Sequence, residues 1–102
     1  MTNSAIDAVL VSSPPDVAQV VRADLRGVLA RVMAGTGLSQ TRAAKLCSTD
    51  QPTLSKVLSG RSDIVSTDQL LRWLVQLGCD VAIEVRTPSE GSPGSIRTTF
   101  DE

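Results

Sequence analysis

Residues 37–61 read "GLSQTRAAKLCSTDQPTLSKVLSGR", and two short helical patterns stand in them back to back. In the second, Leu54, Val57 and Leu58 fall at i, i+3 and i+4, the spacing of one apolar stripe on an α-helix. The opposite face carries Gln51, Pro52, Ser55, Lys56 and Ser59, with hydrogen-bonding groups, one cation and no carboxylate. Asp50 stands where an N-cap belongs and Gly60 where the helix stops. In the first pattern Ser39 caps a helix over Gln40–Cys47, with Ala43, Ala44 and Cys47 turned inward and Leu46 flanking. Only "CSTD" separates the two. Two short helices joined this tightly fit a helix-turn-helix, which needs a small residue where the helices cross and branched apolar residues facing in. Ala44 meets the first demand; Leu54 and Val57 meet the second.

Upstream, "SSPPD" breaks the chain and launches a helix from about Asp16 to Ala34. Val17, Val21, Leu25, Val28, Leu29 and Val32 form its stripe, while Arg22, Asp24, Arg26 and Arg31 fall largely away from it. Gly27, inside this helix, reads as a tolerated surface glycine that costs about 1 kcal/mol relative to Ala. Residues 1–14 form a lead segment whose "SAIDAVLV" suits a helical turn or a short strand equally well. Downstream, "RSDIVS" is a loop, and Ser66 caps a fourth helix over Thr67–Leu77. Leu70, Leu71, Leu74 and Leu77 make its core face, Trp73 lies on the margin, and Gly78 closes it.

"DVAIEVR", residues 80–86, alternates strictly, with Val81, Ile83 and Val85 on one side and Ala82, Glu84 and Arg86 on the other. A lone strand leaves its backbone donors and acceptors unpaired, so it must meet either the lead segment or the same strand of a second copy. From Thr87 to Glu102 the composition turns to Pro, Gly, Ser and Thr, as in a flexible tail. The expected architecture is therefore mainly α. Four or five helices and one terminal strand occupy residues 15–86, between the lead segment and the tail.

Composition narrows the function. At 102 residues there is room for one modest core. No histidine is present, which removes the commonest general base and metal ligand. Two cysteines, Cys47 and Cys79, are too few for a zinc or iron–sulfur site and read as small core residues without a disulfide. Neither metal, cofactor, small-molecule substrate nor enzymatic activity is expected. With only Trp73 and Phe100 as aromatics, a base-stacking platform for single strands is also unexpected. The first 15 residues carry no cation and no long apolar run, so the expectation is a cytoplasmic protein without membrane contact. The net charge is only −1, yet between Leu38 and Arg61 four cations, Arg42, Lys45, Lys56 and Arg61, face a single carboxylate, Asp50.

With "GLSQ", "AA" and "QPTLS" at these spacings, and "LGCDVAIEV" after the last helix, residues 17–86 resemble the Xre/Cro-type, phage-repressor-like helix-turn-helix regulators. The subgroup ending in a strand, which includes HigA-like antitoxins, is the most similar. The resemblance implies a repressor that binds double-stranded operator DNA as a homodimer, its strands Val81, Ile83 and Val85 joining the two copies. It further implies an antitoxin that autoregulates a toxin–antitoxin operon and binds its toxin through the lead segment (Ile6, Val9, Leu10, Val11) or the tail. A stand-alone phage-type regulator, and an interaction module that has lost DNA binding, are the alternatives. Carried over by position, Gln51, Pro52, Ser55 and Lys56 would meet base edges. Gln40, Arg42, Thr53, Ser59 and Arg61 would meet phosphates. The turn departs from the family pattern: Ser48 and Thr49 stand where glycine and a β-branched aliphatic are usual, and Asp50 replaces a neutral Ser or Thr. Serine at a positive φ is expected to cost of order 1 kcal/mol.

Overall fold

The computed structural model describes residues 16–88, 90–91 and 93–102. The readings made for residues 1–14, including Ile6, Val9, Leu10 and Val11, lie outside them. Among the described residues four α-helices follow one another: α1 over Val17–Thr36, α2 over Gln40–Leu46, α3 over Gln51–Leu58 and α4 over Thr67–Gln76, with a 3-10 turn at Ser62–Ile64. Each start has a side-chain cap of the expected kind. Asp16 accepts from Ala18 N–H, Ser39 from Arg42 N–H, Asp50 from Thr53 N–H and Ser66 from Gln69 N–H, at 2.7–3.1 Å.

The core gathers one face of every helix. Leu25, Leu29, Val32 and Met33 come from α1, Ala43 and Ala44 from α2 with Cys47 behind them, Leu54 and Val57 from α3, and Leu70, Trp73 and Leu74 from α4. Helix α1 packs chiefly on α4 and also touches α3 and the 3-10 turn, while α2 lies against α3. Most of the expected stripe positions are filled as read. Val17 is the exception: it opens α1 beyond the reach of the other helices and is exposed. Trp73, at the margin of the α4 stripe, is fully buried, as a core tryptophan is. A ring of that size serves as the filler between α1 and α4, and its indole N–H finds no partner among the described residues.

The helix ends are built from one device used three times. After α3, Gly60 N–H donates to Val57 C=O and Arg61 N–H to Lys56 C=O. After α4, Gly78 N–H donates to Val75 C=O and Cys79 N–H to Leu74 C=O. After α2 the same paired bonds run from Ser48 to Lys45 and from Thr49 to Ala44, at 3.1 and 2.9 Å. This is the Schellman arrangement, which needs a left-handed residue just past the helix. Gly60 and Gly78 supply it at φ 119° and 98°; at the turn between α2 and α3 a serine does, with Ser48 at φ 56°. The expected strain is therefore present at Ser48, and the motif forms despite it.

Beyond α4 the chain differs from expectation. No residue among those described is in a strand, and 79–88 run without regular structure. Val81, Ile83 and Val85 are all exposed, Ile83 by 76 % and Val85 by 88 %. Alternation defines which face a strand would bury, but a strand exists only when a second one pairs with it. Within a single chain nothing described does so. The tail, expected to be free, instead brings Phe100 against the core cluster beside α1.

Replacing Ser48 with glycine removes the side-chain penalty at φ 56° and is expected to stabilise the fold by about 0.5–1 kcal/mol, read as a thermal midpoint higher by a few degrees. Gly60→Ala and Gly78→Ala put a Cβ into the same conformation and are expected to lower it.

Candidate nucleic-acid interface

The N-termini of α2 and α3 open onto one surface. A side-chain bond joins their first residues: Gln51 Nε2 donates to Gln40 Oε1 at 2.7 Å. Each glutamine keeps part of its capacity, an NH2 on Gln40 and, on Gln51, the carbonyl oxygen and the second N–H. The pair thus orients two amides whose remaining groups can address a ligand across both helix starts. Sequence reasoning assigned these residues separate roles; that they touch across 11 positions follows only from the crossing of the helices.

Along α3 the outer face is laid out as expected. Gln51, Pro52, Lys56 and Ser59 are exposed, and Thr53 and Ser55 are half-buried. Leu54 and Val57, both fully buried, fix the helix from below, so its outer face cannot rotate without emptying the core. Its C-terminal end is held by Arg26 of α1, whose Nη1 donates to Leu58 C=O at 3.5 Å. A cation at the negative end of a helix is favourable as well as positioning. Nothing in the spacing of Arg26 marked it for this role.

The charges around this face are unevenly available. Arg42 and Lys45 on α2 and Lys56 on α3 are exposed. Arg61 is exposed too, but its Nε lies 3.2 Å from Asp63 Oδ1, so a carboxylate shares its charge. The guanidinium in turn holds the Asp63 carboxyl below the usual range. Asp50 is likewise lowered, first by the Thr53 N–H it caps and then by the Thr53 side chain, with Lys56 adding a smaller pull. Ser59 Oγ donates to Lys56 C=O at 2.9 Å, which leaves its lone pairs rather than its proton for any partner. Thr53 contributes its backbone N–H to the Asp50 cap.

Buried chemistry is absent from this surface. The Cys47 thiol sits in the core, where burial pushes its pKa to about 11, and its Sγ lies 3.7 Å from Trp73 C=O. Both cysteines are free thiols. Among the described residues no three His, Cys, Asp or Glu side chains gather as a metal set, and no helix is long and apolar enough to cross a membrane.

The family model described as "Helix-turn-helix domain" matches residues 10–86. The chain belongs to this helix-turn-helix family. A solved structure described as an XRE family transcriptional regulator is similar in fold, with a TM-score of 0.76 and 22 % identity over 87 % of this chain and 100 % of that one. No curated protein matches the sequence. In helix-turn-helix domains the second helix of the motif is the one that enters the major groove. Here that helix is α3, and the residues named from the sequence lie on or beside its open face.

The Asp50 cap gives the interface an acid limit. Its folded pKa is depressed, so the stabilisation it provides is fully present above the ordinary aspartate value of about 3.9 and is lost as pH falls through the lower folded value. Asp50→Asn keeps an uncharged cap and is expected to lose this acid dependence. The check is the difference in thermal midpoint between variant and parent from pH 7 down to pH 3.

Proposed function

We propose that this protein is a sequence-specific binder of double-stranded DNA that acts as a transcriptional repressor. The observation that carries the reading is the rigidly seated α3, whose outer face combines an amide, an apolar ring, a hydroxyl and a lysine beside the N-terminus of α2. Gln51 is set to address adenine, where an amide can bond two edge positions at once, and Pro52 to lie against a thymine methyl. Ser55 and Lys56, one turn on, reach the next bases, Lys56 toward guanine acceptors. Gln40, Arg42, Thr53, Ser59 and Arg61 flank them as backbone contacts, which position the domain without carrying sequence information.

Two features shape that interface. Asp50, ionised at the start of α3, repels a nearby phosphate, and Asp63 competes with DNA for Arg61. Binding therefore draws on few phosphate contacts, and base contacts weigh more in the total. The intact Schellman turn at Ser48 favours this reading over a module that has lost DNA binding, because α2 and α3 keep the crossing that a reading head needs.

In the fuller form of the proposal two copies act together on a palindromic operator, with half-sites about 34 Å apart. Val81, Ile83 and Val85 form the joining ribbon once a second copy supplies the missing partner strand. Resemblance to HigA-like regulators extends this to an antitoxin that represses its own operon and binds a toxin; a stand-alone regulator with the same DNA chemistry is the alternative. The gene beside this one discriminates between them.

Gln51→Ala and Lys56→Ala are each expected to weaken binding to the chain's own upstream region by ~1–3 kcal/mol with the thermal midpoint unchanged, as followed by fluorescence anisotropy. Parent affinity should fall with salt, with the shallow slope that few phosphate contacts give. Salt-insensitive or absent binding there would sink the repressor reading. For the ribbon, the double variant Ile83→Asp, Val85→Asp is expected to be a folded monomer by light scattering, whereas an unchanged dimer would place the interface elsewhere.

A further inference from the structure

Beyond α4 the chain holds a stretch with unspent bonding capacity. Among the described residues, the backbone bonds after α4 end with Cys79 N–H on Leu74 C=O, and residues 80–88 make no backbone–backbone bond. Val81, Ile83 and Val85 stand exposed. Arg86 Nη2 donates to Glu84 Oε1 at 3.2 Å, a contact between positions i and i+2 that puts both side chains on one side of an extended backbone. The stretch thus has a charged face of Asp80, Glu84 and Arg86 with Ala82 among them, and an apolar face of Val81, Ile83 and Val85.

We propose that a second copy of this chain pairs with residues 80–86 in one register only: antiparallel, with Ile83 facing the partner's Ile83 on the two-fold axis and Asp80 facing the partner's Arg86. The proposal rests on the ribbon reading above and adds which residues meet. A two-fold contact is isologous, so if residue i faces residue j, then j faces i. Opposite residues of an antiparallel pair share a face, so the axis must pass through a residue; between two residues it would set apolar side chains against charged ones. Each centre can then be tested by charge, since like charges directly opposite destabilise a pair and opposite charges stabilise it. Centred on Ala82, Asp80 faces Glu84. Centred on Glu84, that carboxylate faces its own copy. Centred on Val81, the pairing runs back into α4, where Gln76 is still helical. Centred on Val85, Ile83 faces Thr87 and the ladder takes in Pro88, which has no N–H to give. Only the centre at Ile83 sets Val81 against Val85 and Asp80 against Arg86 at both ends. Arg86 then lies between its own Glu84 and the partner's Asp80. Because one axis relates all parts of the two copies, this register also fixes where the two α3 helices stand.

Disulfide trapping in the full chain reads the register directly. Opposite Cα atoms of an antiparallel pair are about 4.5–5.5 Å apart, within disulfide reach, whereas an offset of four residues puts them roughly 13 Å apart. Cys79→Ala removes the half-buried thiol, and the buried Cys47, its pKa pushed to about 11, does not compete. In that chain Ile83→Cys should oxidise in air to a covalent dimer on a non-reducing gel. Val81→Cys and Val85→Cys should each stay single alone and cross-link to one another when mixed. Arg86→Glu sets a carboxylate against the partner's Asp80 at both ends and should slow Ile83→Cys cross-linking about tenfold at low salt, as should Asp80→Arg. Mixing those two charge variants should restore the original rate, because every facing pair is again of opposite sign. Cross-linking by Val81→Cys or Val85→Cys alone, none by Ile83→Cys in a chain whose parent dimerises, or charge variants as fast as the parent would each overturn this register and leave the ribbon standing. A parent as monomeric in light scattering as the Ile83→Asp, Val85→Asp chain would overturn the ribbon and the register with it.

Discussion

The close crossing of α2 over α3 is the constraint on which the remaining structure depends. Ala43 and Ala44 press on the helix that presents Leu54 and Val57, and all four are buried nearly to completion. A larger side chain at either position would have to push the helices apart, since cores at native density resist even an added methylene. The crossing sets the angle of the turn, and the turn sets the backbone demand at Ser48. The Schellman bonds from Ser48 and Thr49 then deliver the chain straight to Asp50, whose carboxylate starts α3. Helices α1 and α4 complete the support by burying Leu29, Leu70 and Trp73 beneath the pair. Loss of the crossing would thus reorient α3 and its outer face together, and in this sense the interface is a consequence of two alanines.

Strain at Ser48 is instructive because the other two Schellman ends use glycine for the same geometry. The bonds after α2 are as short as those after α3 and α4, so the penalty is absorbed by packing rather than relieved by a different turn. The energy available for that is considerable. Fully burying a leucine or valine is worth about 1.5–3 kcal/mol, against a left-handed serine at roughly 1–2 kcal/mol. Tertiary burial of Leu54 alone offsets the local conflict.

What was legible in the sequence follows from the range of the forces involved. Helix positions, the Ser39, Asp50 and Ser66 caps and the inward residues of α2 and α3 are set by neighbours three or four positions away, and all of them were readable. The depth of Trp73 was not, because it depends on where α1 lies rather than on α4. The alternation at 80–86 names the face a strand would bury, but among the described residues no strand forms there, because a strand needs a partner that periodicity cannot name. Phe100 was hidden for a similar reason: it packs against the core beside Arg31, about 70 positions upstream. On the interface, the residues of the α3 face could be listed one by one, but the Gln40–Gln51 bond and the sharing of Arg61 with Asp63 required the coordinates of both partners.

The proposed ribbon can be weighed by the same energetics. Pairing two copies through Val81, Ile83 and Val85 would bury six apolar side chains. Against this stand the ordering of two stretches that have no regular structure in the single chain and the cost of association itself. A dimer resting on the ribbon alone is therefore marginal. A palindromic operator changes the balance, because the first copy bound raises the local concentration of the second half-site's occupant. On the proposed reading, then, DNA binding and ribbon formation are coupled: each half of the interface is weak, few phosphate contacts on one side and a marginal strand pair on the other. Repression would then respond sharply to the concentration of the chain.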